Sequence, residues 1–119
     1  MTARDYSAPA GSADAGFERV AGEAELPEGA LLGVTRARGP AVCLFNDRGR
    51  IGAIAELCTH QAFPMAQGAL LPDGTIQCSW HGARFDCLTG SVREGPALDP
   101  IRVYETRVVN GEIWVGPAR

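Results

Sequence analysis

The chain has 119 residues, 45% apolar and 21% charged, which suits one globular domain and leaves no room for two. Its formal charge is -3 and all eleven cationic side chains are arginine, so no basic stripe is available for a phosphate backbone and nucleic acid is not an expected partner. No apolar run approaches the roughly twenty residues that span a bilayer, and the opening MTARDYSAPAGSADAG is too polar for a signal-peptide core, so no membrane association and a cytoplasmic location are expected.

Residues 1–16 are rich in Ala, Ser, Gly and Asp with almost nothing apolar to bury, and they read as a disordered N-terminal tail ahead of a single domain over 17–119. Fifteen glycines and eight prolines interrupt the rest too often for long helices, while short Val, Ile and Leu-rich runs recur between them. The expected fold class is all-β. Order begins near Phe17, where FERVAGEAEL gives way to PEGALLGVTRAR and then to PAVCLFN, a run that alternates weakly or is continuously apolar like a buried strand. Asn46-Asp47-Arg48-Gly49 then supplies a turn, so PAVCLFN and GRIGAIAEL form a hairpin that leads directly into Cys58.

Residues 61–69 have no clear period, and Leu70-Leu71-Pro72-Asp73-Gly74 is a turn before the short strand TIQCS. Residues 85–88 can pair with that strand, Thr89-Gly90 gives the next reversal, and REGPALDP reads as a loop. IRVYETRVV and EIWVG, joined by Asn110-Gly111, make a closing hairpin, with Trp114 expected in the core.

Four cysteines in a short chain could form two disulfides, but that depends on secretion, for which there is no signal. Cys58-Thr59-His60 and Cys78-Ser79-Trp80-His81 hold both histidines and half the cysteines, with seventeen residues between His60 and Cys78. Thiolates with imidazoles suit structural zinc or an iron-sulfur centre of mixed ligation. Zinc sites usually draw on a Cys-x(2 to 4)-Cys knuckle, whereas each half here offers one Cys and one His, which suits a dinuclear cluster better. Cys43 and Cys87, inside strand-like runs, read as small buried side chains.

The stretch from ELCTHQAF to CSWHGARFD resembles the Rieske ferredoxin family, whose pattern is Cys-x-His, fifteen to seventeen residues, then Cys-x-x-His-Gly. The segment ELPEG, the hairpin before Cys58 and the loop EGPALDP extend the resemblance over nearly all of 17–116. It implies an antiparallel β-sandwich base with a small cluster-binding subdomain, at about 57–90, formed by two ligand loops and bordered by a third loop containing Pro96. It implies one Rieske 2Fe-2S cluster, with Cys58 and Cys78 on the inner iron and His60 and His81 on the outer, reducible one.

The same resemblance implies a monomeric electron carrier rather than an enzyme. Its expected donor is a flavin-dependent ferredoxin reductase and its expected acceptor the Rieske terminal oxygenase of an aromatic-ring dioxygenase system. A small subunit of a larger reductase, such as assimilatory nitrite reductase, is the alternative. High-potential relatives carry a Ser and a Tyr where this chain has Ala83 and Phe85, and loop cysteines where it has Phe63 and Trp80. Lacking those donors and that disulfide, the cluster is expected near the low end of the family's range. Phe63, Pro64 and Met65 are expected to shield the cluster or to form a docking rim, Trp80 to pack or to meet a partner, and Arg84 and Asp86 to brace the ligand loops or lie on the surface.

Overall fold

The computed structural model describes residues 16–59, 62–79, 82–95 and 99–119. The tail expected over 1–16 lies outside them except for Gly16, as do His60, Trp80, His81 and Pro96. Among the described residues ten strands follow in chain order: β1 (Glu18–Gly22), β2 (Leu31–Arg36), β3 (Gly39–Asp47), β4 (Arg50–Ala55), β5 (Ala69–Leu70), β6 (Thr75–Gln77), β7 (Arg84–Asp86), β8 (Val92–Glu94), β9 (Val103–Val109) and β10 (Glu112–Ala118). Single 3-10 turns at Glu23–Glu25 and Met65–Gln67 interrupt them, and the expected all-β class holds.

The strands form a six-stranded sheet in the order β1-β10-β9-β4-β3-β2 and a four-stranded meander β5-β6-β7-β8, and every pairing is antiparallel. Polar side chains draw the two outer strands of the larger sheet together. The Glu18 carboxylate accepts the Ala37 and Arg38 amides at 2.8 and 3.4 Å. Arg36 donates to the carbonyls of Pro40 (2.9 Å) and Gly116 (3.2 Å) while its guanidinium lies 4.7 Å from the centre of the Tyr104 ring.

Both predicted hairpins form through turn chemistry that the sequence dictates. Asp47 pairs with Arg50 and Val109 with Glu112, which leaves Arg48-Gly49 and Asn110-Gly111 as two-residue turns. All four turn residues have positive φ, 56° and 95° in the first and 51° and 77° in the second, the pattern whose twist matches that of the flanking strands.

PAVCLFN is continuously apolar because β3 is buried on both faces. Val42 and Leu44 point into the curled base with Ala53, Tyr104, Ile113 and Val115. Cys43 and Phe45 point the other way, into a second core with Ile54, Cys58, Met65, Ile76, Cys78, Phe85 and Val103. This second core cements the small sheet to the base. Gly52 lies opposite Phe45 in register, and a Cβ there would overlap the Phe45 ring, so its missing side chain is what seats the ring.

Trp114 departs from expectation. Ile113 and Val115 take the inward positions of β10, so strand alternation turns Trp114 outward, half-buried between Arg19 of β1 and Arg107 of β9. Strands also form where the sequence carries no clear strand signal, at β1, β2, β5 and β8. β5 is two residues long, and β8 forms within the stretch read as turn and loop because Phe85 and Arg84 offer it a partner edge.

Candidate metal centre

Two loops of matching construction carry the cysteine of each motif. At the end of β4, Leu57 bridges to Pro64, the Cys58 amide donates to the Phe63 carbonyl at 2.9 Å, and Ala62 takes a positive φ of 53°. Between β6 and β7, Gln77 pairs with Arg84, the Cys78 amide donates to the Ala83 carbonyl at 2.8 Å, and Gly82 takes a positive φ of 76°. In each loop the cysteine amide reaches the carbonyl five residues on, and the residue before that carbonyl is left-handed. The two cysteines therefore enter equivalent positions from two separate elements.

Neither cysteine is in a disulfide and both are buried, Cys58 at 3% and Cys78 at 1% exposure, within the core between the sheets. His60 and His81, two and three residues further along their loops, lie outside the described residues. Among the described residues no group of three or more His, Cys, Asp or Glu gathers as a metal site. Two buried cysteines at the bases of two equivalent loops, each loop also containing a histidine in sequence, fit the donor set of a two-iron cluster. They could hold it with one thiolate and one imidazole from each.

Other side chains hold the first loop in place. The Glu56 carbonyl accepts the Met65 amide at 2.6 Å and its carboxylate accepts the Ala66 amide at 3.1 Å, which caps the 3-10 turn that follows the loop. Partial burial raises the Glu56 carboxyl above its ordinary value, against the lowering effect of the Ala66 amide. On β2, a Cβ at Gly33 would overlap this carboxylate, so Gly33 makes the space for it. The Thr59 hydroxyl donates to the Asp99 carbonyl at 2.9 Å.

Met65 is fully buried and Phe63 packs against the same core, while Leu57, beside Cys58, is 52% exposed. Arg84 and Asp86 brace the small sheet rather than the loop tips. Arg84 spans Asp73 (3.2 Å) and Glu94 (3.1 Å). Asp86 accepts the Leu88 and Thr89 amides at 2.9 and 3.0 Å and pairs with Arg93 at 3.0 Å. Cys43 and Cys87 are buried in the shared core, as expected of packing residues. Burial pushes the Cys43 thiol up to about 12, with the Glu56 carboxylate adding to the rise, and lifts Cys87 to about 11 with help from Asp47 and Asp86.

The roles of Glu56, Gly33 and Ala62 are not legible as motifs. The repeated left-handed position has one sequence signal, Gly82, and its counterpart Ala62 carries none.

A family model described as Rieske [2Fe-2S] domain matches residues 17–105. The chain belongs to this family. The Rieske chain is 36% identical over 92 residues to the 3-phenylpropionate/cinnamic acid dioxygenase ferredoxin subunit of Escherichia coli (strain K12), an alignment covering 77% of this chain and 85% of the relative. Among solved structures, it is similar to a chain in a complex of reduced oxygenase and oxidized ferredoxin in carbazole 1,9a-dioxygenase. The TM-score is 0.79 at 25% identity, covering 85% of this chain and 93% of that one. It is also similar to a putative NADH-dependent nitrite reductase small subunit from Mycobacterium tuberculosis, with a TM-score of 0.74 at 26% identity, covering 87% and 94%. No helix among the described residues is long and apolar enough to cross a membrane.

Proposed function

We propose that the chain is the electron-carrying ferredoxin of a multicomponent aromatic-ring dioxygenase system, holding one Rieske 2Fe-2S cluster through Cys58, His60, Cys78 and His81. The observation that carries the assignment is the pair of equivalent loops, each with a buried cysteine at its base and a histidine further along it in sequence. The bound cluster supplies one-electron transfer. The protein supplies two thiolates from the core side, backbone hydrogen bonds that fix both loops, and the apolar floor of Met65, Ile76 and Phe85 that keeps water from the inner side.

In this reading a flavin-dependent ferredoxin reductase gives the electron and a terminal oxygenase takes it. The likeness to the ferredoxin subunit and to the oxygenase–ferredoxin complex supports the second half of that path. A monomer working in the cytoplasm completes the proposal. Ala83 and Phe85 are both fully buried and neither side chain donates a hydrogen bond, which supports a potential near the low end of a family range of roughly -150 to +300 mV. The nitrite reductase small-subunit likeness supports the alternative, a subunit that co-purifies with a large reductase.

The test is a visible absorption and electron paramagnetic resonance spectrum before and after dithionite, with iron and sulfide counted. About two irons per chain, a rhombic reduced signal, and loss of both in Cys58→Ala and Cys78→Ala are expected. A colourless, zinc-containing protein overturns the assignment, and a potential above about +200 mV overturns its low-potential part.

A further inference from the structure

Residues 99–102 are pinned from two sides by backbone groups. The Ile101 amide donates to the Gly90 carbonyl at 2.8 Å, at the turn between β7 and β8, and the Ala55 amide donates to the Arg102 carbonyl at 2.9 Å, where β4 runs out toward Cys58. The Gly90 approach is so close that a Cβ there would overlap the Ile101 carbonyl. Asp99 precedes Pro100, and a residue before proline is restricted to extended backbone, so the Asp99 carbonyl is presented in a fixed direction.

That carbonyl accepts the Thr59 hydroxyl at 2.9 Å across forty positions of sequence. Thr59 stands between Cys58 and His60, and its β-branched side chain has few χ1 rotamers, so little freedom is lost in holding the hydroxyl in place.

We infer that Thr59 latches the first ligand loop to the rigid strip 99–102, and that this latch sets how long the loop keeps its cofactor. The inference rests on the proposal that Cys58 and His60 are cluster ligands. Cys58 is anchored from the core side by its amide bond to Phe63, and Glu56 holds the exit of the loop. The Thr59 bond restrains the loop from its opposite flank and ties it to the strip that also contacts the small sheet. Thr59 is thus a positioning residue, acting on the cluster through the loop.

The test compares Thr59→Val, which keeps the shape and removes the donor, with Thr59→Ser, which keeps the donor on a freer side chain. In the purified protein, loss of visible absorbance to a ferrous chelator is expected to run roughly two- to tenfold faster in the Val variant, the range one net hydrogen bond allows, with Ser in between. Hydrogen exchange of peptides covering 99–102 is expected to rise in the Val variant while exchange in β3 stays unchanged, which separates a latch from general destabilisation. A Val variant that keeps its cluster as long as the wild type, or a Ser variant as labile as Val, overturns the latch. If the wild type holds no cluster the proposed function falls instead, and the exchange comparison still decides whether Thr59 restrains the strip.

Discussion

The left-handed residues of the two loops are chemically unequal. Gly82 at φ 76° adopts its conformation without a Cβ penalty, whereas Ala62 at φ 53° bears the left-handed cost of about 1–2 kcal/mol that any L side chain meets there. Ala62→Gly should therefore be neutral or stabilising in urea unfolding, although glycine elsewhere usually weakens a chain. Gly82→Ala should destabilise by about 1–2 kcal/mol, since it acquires the same conformational cost and places a Cβ 3.3 Å from Gln77 Nε2. Equal effects of opposite sense would support the equivalence of the loops, and a harmless Gly82→Ala would refute it. The sequence announces half of this pair. A glycine after a Cys-x-x-His motif advertises a special backbone position, while an alanine in the same conformation gives no sign of it. The thiols were likewise legible from their spacing with the histidines, but not the amide bonds that bury them.

Among elements, the small sheet adds an ion-paired surface to its apolar inner face. Hydrogen bonds from Thr75, hydroxyl and amide, together with Arg84 and Arg93, outweigh slight desolvation and hold the Asp73 carboxyl below its ordinary 3.8. At Asp86, partial burial opposes ionisation, but the Thr89 and Leu88 donors and Arg93 outweigh it and the carboxyl is again lowered. Groups lowered in this way stabilise the fold above the unfolded value, about 4, and lose that contribution as pH falls through the folded one. Glu56 acts oppositely, because burial raises its carboxyl above 4.5 and protonation there relieves the fold. Urea midpoints should hold or rise slightly as pH is lowered toward 4.5 and then fall below about pH 4, with a shallower fall in Asp86→Asn. A midpoint indifferent to pH below 4 in the wild type would contradict this. In the base, Gly52→Ala should cost about 1–3 kcal/mol because its Cβ meets the Phe45 ring, with Phe45→Leu in the same chain recovering part of the loss. The hairpins were readable because Asn-Gly and Arg-Gly turns fix their own register. β5 and β8 were not, since their few residues carry no apolar alternation of their own and lie along partner edges that tertiary structure offers them.

At the scale of the whole molecule, β3 has no face of its own: Val42 and Leu44 belong to one core, Cys43 and Phe45 to the other. Loosening the small sheet exposes β3, and loosening the base removes the floor of the small sheet. Denaturation followed by visible absorbance of the cluster and by far-ultraviolet circular dichroism should therefore trace one coincident transition. Two separated transitions would show that the layers are independent despite the shared strand.

The near-complete burial of Cys58 and Cys78 bears on biogenesis. Cysteines 3% and 1% exposed, at the bases of loops held by their own amides, offer incoming iron and sulfide little access in the finished fold. In the proposed assignment the inorganic core must arrive while the nascent chain still has its loops apart, so maturation has a limited window. A chain that closes empty would have to reopen before it could be filled, and the rate of its reconstitution in vitro would follow that reopening rather than the supply of iron.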